Sequence, residues 1–274
     1  MHQLTVQLNP NRVAAPAQHA ATRAANIIRH CLNALGGELK MPEMSGQSIG
    51  YRFEEIGITA EERRATYQNW LLCRAFQELL RGVRESLEEA VLFLALLSRT
   101  GEKTTVGQWN QDLANIRRRA SNMKFPQLIA AVNSELTEPL AFEAEFLSMQ
   151  KVRNCLEHRG GIVGAGDVDE GASALTLSFP CRRIFYRRGD EDIDIVPGQT
   201  VDAGDGKDEV QILTRLESRS RTYKIGERIV FNANDFNEVA MACHFFAGDL
   251  GRKLPLRPAQ QTAADAQTGS LSPL

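Results

Sequence analysis

The sequence predicts a mainly α-helical bundle with a small antiparallel β-sheet and a closing helix appended to it. Three observations predict it. Apolar residues recur near the 3.6-residue period through most of residues 13–160. Between 174 and 224, β-branched and aromatic residues alternate with polar ones, with turn-forming residues between the runs. A helical period then returns after Asn234.

The chain has 274 residues and a net charge of −2, enough length for a substantial core and no global field that attracts nucleic acid. RNA contact, if any, has to come from local basic patches. Its five cysteines are scattered and include no CxxC pair, which argues against a zinc site or disulfide framework and fits a reducing cytoplasm. Asn9-Pro10 and polar neighbours stand where a signal peptide has an apolar run. The longest apolar run, Ala90 to Leu97, is too short to cross a bilayer. The expectation is a cytoplasmic protein with no membrane partner, no metal and no cofactor.

Taken in order, residues 1–12 read as an irregular lead-in, and Ala14 to Leu35 as a first helix stopped by Gly36-Gly37. His19 and His30 lie on it as surface or half-buried residues. Residues 38–58, with Pro42, Gly46, Gly50 and Gly57, read as a loop. Thr59-Ala-Glu-Glu62 is a capping box that opens a long helix to about Ser98, with Gly82 as a candidate break. Its stripe of Tyr67, Trp70, Leu71, Phe76, Leu79, Leu80 and Val83 reads as core. Thr105-Val-Gly-Gln108 is a second capping box, opening a helix that ends near Asn122 behind Arg117-Arg118-Arg119. Those cations complement a helix C-terminus, and Arg117 and Arg118 are also candidate phosphate contacts. Phe125 to Leu136 is a short helix, and Pro139 is placed to start the next one.

That next helix carries the densest chemistry. Phe142, Phe146, Met149 and Leu156 form one apolar stripe, in which position 153 is Arg instead of an apolar residue. A charge at such a place needs a partner or another molecule. Arg153, Asn154, Glu157, His158 and Arg159 cluster there, and Gly160-Gly161 ends the helix. The glycines through Gly166 read as a flexible turn, without the lysine or preceding strand of a phosphate loop.

Strands are expected over Ala174–Tyr186, Asp192–Val196 and Val210–Lys224, with a fourth candidate at Ile229–Phe231. The acidic stretch Asp202–Asp208 reads as a solvated turn that lacks the alternating ligands of a calcium loop. Arg182, Arg183, Arg187 and Arg188 on the first strand, and Arg215, Arg219 and Arg221 on the third, make a basic hairpin. A solvated face balanced by Asp190, Glu191 and Asp192 is preferred over a phosphate grip. Asn234 is placed to cap a last helix to Leu250. Residues 13–165 are therefore assigned to the bundle, 172–253 to the sheet with its helix, and 254–274 to a disordered Pro/Ala/Gln/Ser-rich tail.

The run Arg153-Asn154-x-x-x-His158, at the end of a bundle helix, resembles the R-x4-6-H motif of the HEPN superfamily. The likeness covers the motif and, loosely, residues 55–160; it says nothing about the strands. It implies a HEPN-like bundle and a metal-independent endoribonuclease, of the kind found as toxins or defence effectors, whose motif helices face each other in a homodimer. Arg153, Asn154 and His158 are the implied catalytic residues. Glu157, Arg159, Arg117 and Arg118 are candidate substrate contacts, and an antitoxin or other regulatory protein is a candidate partner. The imidazole supplies a base or acid near neutral pH, and the guanidinium can hold a phosphate through two parallel hydrogen bonds. Five positions separate Arg153 and His158, so on an ideal helix their directions differ by about 140°. One phosphate can meet both only if the helix end unwinds or a second chain contributes. The alternatives are a non-catalytic HEPN-like module that binds RNA, a nucleotide or a protein, or a fortuitous motif in which Arg153 pairs with Glu157 and His158 caps the helix.

Overall fold

A computed structural model describes residues 8–37, 57–99, 104–195 and 211–255. The fold is mainly α, with a three-stranded antiparallel sheet and a C-terminal helix. Six helices run α1 (Pro10–Leu35), α2 (Ala60–Ser98), α3 (Val106–Asn122), α4 (Phe125–Asn133), α5 (Glu143–Arg159) and α6 (Ala233–Lys253). The strands β1 (Ala174–Arg188), β2 (Glu191–Asp194) and β3 (Gln211–Lys224) lie between α5 and α6 in the order β2-β1-β3. No helix among the described residues is long and apolar enough to cross a membrane. The expected loop at 38–56, the acidic stretch Asp202–Asp208 and the tail from 256 onward lie outside the described residues.

The chain folds into two compact units that interleave in sequence. The first takes the start of α1, residues 81–143 and the end of the chain from His244. Its core includes Val83, Leu87, Phe93, Phe125, Leu128, Ile129, Phe246 and Leu250. Both capping boxes form as the sequence predicts: Thr105 and Gln108 exchange bonds at α3, and Thr59 and Glu62 do so at α2 in the other unit. Gly82 does not break α2, because one glycine in a long buried stripe costs about 1 kcal/mol and packing outweighs it. Pro16 removes one backbone donor inside α1, and the neighbouring Ala17 amide donates to the buried Ser86 hydroxyl at 3.0 Å.

Several helix boundaries differ from expectation here: α1 begins at Pro10, inside the stretch 1–12 read as an irregular lead-in, and α6 runs on to Lys253. α4 ends at Asn133, whose side chain accepts from the Leu140 amide at 2.9 Å, and Asp249 accepts from Ala141 at 2.9 Å. Those acceptors hold residues 139–141 out of a helix, and Phe142 follows with a left-handed φ of 59°. α5 therefore starts at Glu143 and not at Pro139.

The second unit holds residues 20–80 and 144–243. Leu72, Phe76, Leu79, Phe146, Met149, Leu177, Phe179, Phe236 and Val239 are buried in it, and Phe76 stacks on Phe231 at 4.8 Å. β1 and β3 pair along their whole length, from Ala174 opposite Lys224 to Arg187 opposite Gln211. β2 pairs only with Phe185–Arg188, so most of β1 has a strand on one side alone. Ser148 of α5 serves the bare side: its hydroxyl donates to Thr176 O at 2.7 Å and accepts from Ser178 N at 2.8 Å.

The fourth strand is absent. Ile229 and Phe231 are buried, but the Asn69 side chain donates to Ile229 O at 3.2 Å and accepts from Phe231 N at 3.0 Å, and the Ile229 amide donates to Gly161 O at 2.8 Å. α6 is capped by Asn232 and not by Asn234: the Asn232 carbonyl oxygen Oδ1 accepts from Asp235 N at 2.8 Å, and its amide donates to the Asp235 carboxylate.

Candidate functional site

The motif occupies the second half of α5. Phe146, Met149, Val152, Cys155 and Leu156 are buried, and they spread around half of the helix. The other half carries the polar strip. At one border of the strip Arg153 has a side chain only 18% exposed, and its Nη2 donates to Glu157 Oε1 at 2.6 Å. Gln150, 8% exposed, donates through Nε2 to Asn154 Oδ1 at 2.8 Å. Two polar atoms of this strip are buried without a partner among the described residues, Arg153 Nε and Gln150 Oε1. Such orphans are uncommon, because a desolvated donor or acceptor left unmatched costs about 1–3 kcal/mol.

His158 is exposed and has no hydrogen-bond or ion-pair partner among the described residues. It does not share a face with Arg153, as the helical spacing requires.

Arg159 is committed elsewhere. Its Nη1 lies 2.9 Å from Asp167, whose side chain is 3% exposed and also accepts from Gly164 N at 2.8 Å. The guanidinium runs over Gly164 and Gly166, where a Cβ would come within 3.3 and 2.8 Å of it. The turn after the motif is thus pinned and not flexible. Gly160 and Gly161 take left-handed φ values of 60° and 79°, and the Gly161 amide closes α5 on Cys155 O. Residues 161–163 then pair with 226–229 through three backbone bonds of 2.8–2.9 Å, and Arg228 donates to Gly160 O.

Arg117 and Arg118 lie exposed on α3, in the other compact unit, with no ion-pair partner among the described residues. A cleft of about 610 Å³ in that unit is lined by Arg99, Thr104, Gln108, Trp109 and Asp112, and no α5 residue reaches it.

The basic hairpin is neutralised by neighbouring carboxylates. Arg183 pairs with Asp194 and Glu217, Arg187 with Asp192, Arg215 with Asp192 and Glu217, Arg219 with Glu238, and Arg221 with Asp235. Arg183 and Arg215 also lie over the Phe185 ring at 5.1 Å each. Hydrogen bonds from Arg187 and Arg215 hold the carboxyls of Asp192 and Glu217 below the usual range. The solvated, balanced face is what forms; of the three expected acids Asp192 pairs with both Arg187 and Arg215.

Two residues of the site carry little sequence signal. Gln150 is separated from Asn154 by one helical turn, and that spacing was the available clue. Asp167 lies beyond four glycines, where no periodicity connects it to Arg159. Among the described residues, no group of three or more His, Cys, Asp or Glu is placed to hold a metal ion. No protein-family model, curated protein or solved structure matches this chain.

Proposed function

We propose that the chain is a HEPN-like, metal-independent endoribonuclease of the cytoplasm, acting at a site that two chains build from their α5 helices. The observation that carries this reading is the Arg153 Nε donor, buried and unused, on the same helix as an exposed His158 that has no partner among the described residues. A phosphate oxygen satisfies that donor and replaces Glu157 on the same guanidinium, in the bidentate geometry arginine favours. An imidazole then takes the 2′-hydroxyl proton, the 2′-oxygen attacks phosphorus, and the P–O5′ bond breaks as a protonated imidazole gives its proton to the leaving 5′-oxygen. The products are a 2′,3′-cyclic phosphate and a 5′-hydroxyl. The two motif side chains diverge on one helix, so the Arg153 of one chain and the His158 of its partner meet the same phosphate. Asn154 orients the imidazole or the sugar. A toxin or defence role, with a protein that restrains it, follows from the resemblance alone.

The test is RNA cleavage in EDTA by the parent protein, Arg153→Ala and His158→Ala. Cleavage that survives chelation and falls at least about 100-fold in both variants upholds the reading. Toxicity on overexpression, relieved by His158→Ala, is the cellular counterpart.

A specific observation favours the second reading, a non-catalytic HEPN-like module for RNA, a nucleotide or a protein. Glu157 already holds Arg153 at 2.6 Å, and no second group fixes the His158 ring. RNA binding without cleavage, in a dimeric and folded protein, selects that reading.

A further inference from the structure

Among the described residues, the long edge of β3 is the least covered part of the sheet. Ser178 N donates to Ser148 rather than across to β3, so Ser178 faces away from β3, and its hydroxyl meets that of Ser220 at 2.9 Å. Backbone direction alternates along an antiparallel ladder. Ile212, Thr214, Leu216, Ser218, Ser220 and Thr222 therefore turn their N–H and C=O groups outward from the sheet. All six are exposed, and among the described residues none of those groups has a backbone partner. Ile212 is 67% exposed, and with Leu216 and Ile184 it makes an apolar strip on one face beside this edge. An edge of this length with apolar residues is a template for another strand.

We propose that β3 pairs antiparallel with β3 of a second copy of this chain, about a twofold axis at Leu216. The charges on the strand select that register. Centred on Leu216, the pairing sets Arg215 of each chain opposite Glu217 of the other and Leu216 against its own copy. Thr214 then faces Ser218, Leu213 faces Arg219, and no like charges meet. Centring on Glu217 sets Glu217 against itself and Arg215 against Arg219. Centring on Ser218 sets Arg215 against Arg221, and centring on Arg215 sets it against its copy. A symmetric contact must be self-complementary, and the Leu216 register joins charge matching with apolar contact at the axis. The inference is independent of the ribonuclease reading: a chain that pairs through β3 and leaves RNA intact upholds this proposal and ends that one.

The experiment uses the full chain. Light scattering after size exclusion is expected to give Leu216→Pro half the mass of the parent, at unchanged helicity. Proline removes an outward N–H at that position and breaks no bond to β1. Leu216→Cys is expected to form a covalent dimer under mild oxidation, since Cα atoms of such a pair lie about 5.5 Å apart. Ser220→Cys is not, because eight residues of offset hold its two copies about 27 Å apart. A parent and a Leu216→Pro variant of equal mass, or equal crosslinking of the two cysteine variants, overturns the proposal.

Discussion

Arg159 reaches from the end of α5 to Asp167, setting an N–O distance of 2.9 Å against a carboxylate that is almost wholly buried. The pair ties the last turn of the motif helix to the segment after it, and the lack of side chains at Gly164 and Gly166 lets the guanidinium pass. Breaking a buried pair by removing one partner costs about 3–5 kcal/mol; here Arg159 is 39% exposed and solvent takes up part of that. Asp167→Asn is expected to lower unfolding free energy by about 1–3 kcal/mol in urea titration. Gly166→Ala pushes a Cβ into the same guanidinium and is expected to act through the same contact. The double variant then loses less than the sum of the two, and strict additivity would show that the pair does not transmit the effect.

Glu157 is the competitor for Arg153. The two side chains are 18% and 31% exposed, so the pair is partly screened, and Glu157→Gln is expected to change stability by less than about 1 kcal/mol. Under the ribonuclease reading the same substitution frees the guanidinium and removes a negative charge from the phosphate's path. Short single-stranded RNA is expected to bind several-fold tighter to Glu157→Gln, measured by fluorescence anisotropy at fixed salt. Arg153→Lys is expected not to restore what Arg153→Ala loses, because an ammonium cannot make the bidentate contact. Weaker RNA binding by Glu157→Gln would count against a phosphate site at Arg153.

What the sequence made legible follows the range of the interactions involved. Both capping boxes, the full extent of α2 and the β1–β3 pairing rest on neighbours within one element or on strict alternation, and they are readable in order along the chain. The Arg153–Glu157 pair is an i,i+4 contact and was open to the same reasoning. The missing strand at Ile229–Phe231 is different: its pattern is strand-like, but a side chain 160 residues earlier, Asn69, takes the Ile229 carbonyl and the Phe231 amide. The early end of α4 depends on Asn133 and Asp249, and Asp249 has no local sequence signature at the site it serves. Asp167 is silent for the same reason. Long-range polar partners set the end of α4 and the missing strand, while the shift of the α6 cap to Asn232 rests on local bonds to Asp235.

Alkaline pH is expected to unfold this protein early. Burial pushes the Cys73 thiol up to about 11 even though Arg228 and Arg74 oppose it, Cys155 up to about 11 and Cys243 up to about 12, from an ordinary 9.0. Burial also raises the Tyr223 phenol from 10.0 to about 12. Each group holds its proton more tightly folded than unfolded, so above pH 9 the unfolded chain binds fewer protons and stability falls as pH rises. Below pH 9 these groups leave stability flat. Melting temperature is expected to drop steadily from pH 9 to 11, and Cys243→Ala to make that drop shallower. A pH-independent melting temperature over that range would mean these thiols are open to solvent.

Ser148 is expected to matter more than an ordinary helix serine. It is half-buried on α5, and its hydroxyl makes both bonds that a neighbouring strand would otherwise make to Thr176 O and Ser178 N. Ser148→Ala removes the donor and the acceptor together and leaves two backbone groups of β1 without partners. Each is worth about 0.5–1.5 kcal/mol, and desolvation of the abandoned groups adds to the loss, so about 1–3 kcal/mol is expected in urea unfolding. Stability alone does not locate the defect; amide exchange does. The Ser178 amide is expected to lose protection in Ser148→Ala, while amides that bond across to β3, such as that of Leu177, keep theirs. If Ser178 stays protected, water or a shift of α5 has replaced the hydroxyl, and Ser148 does not hold the helix to the sheet.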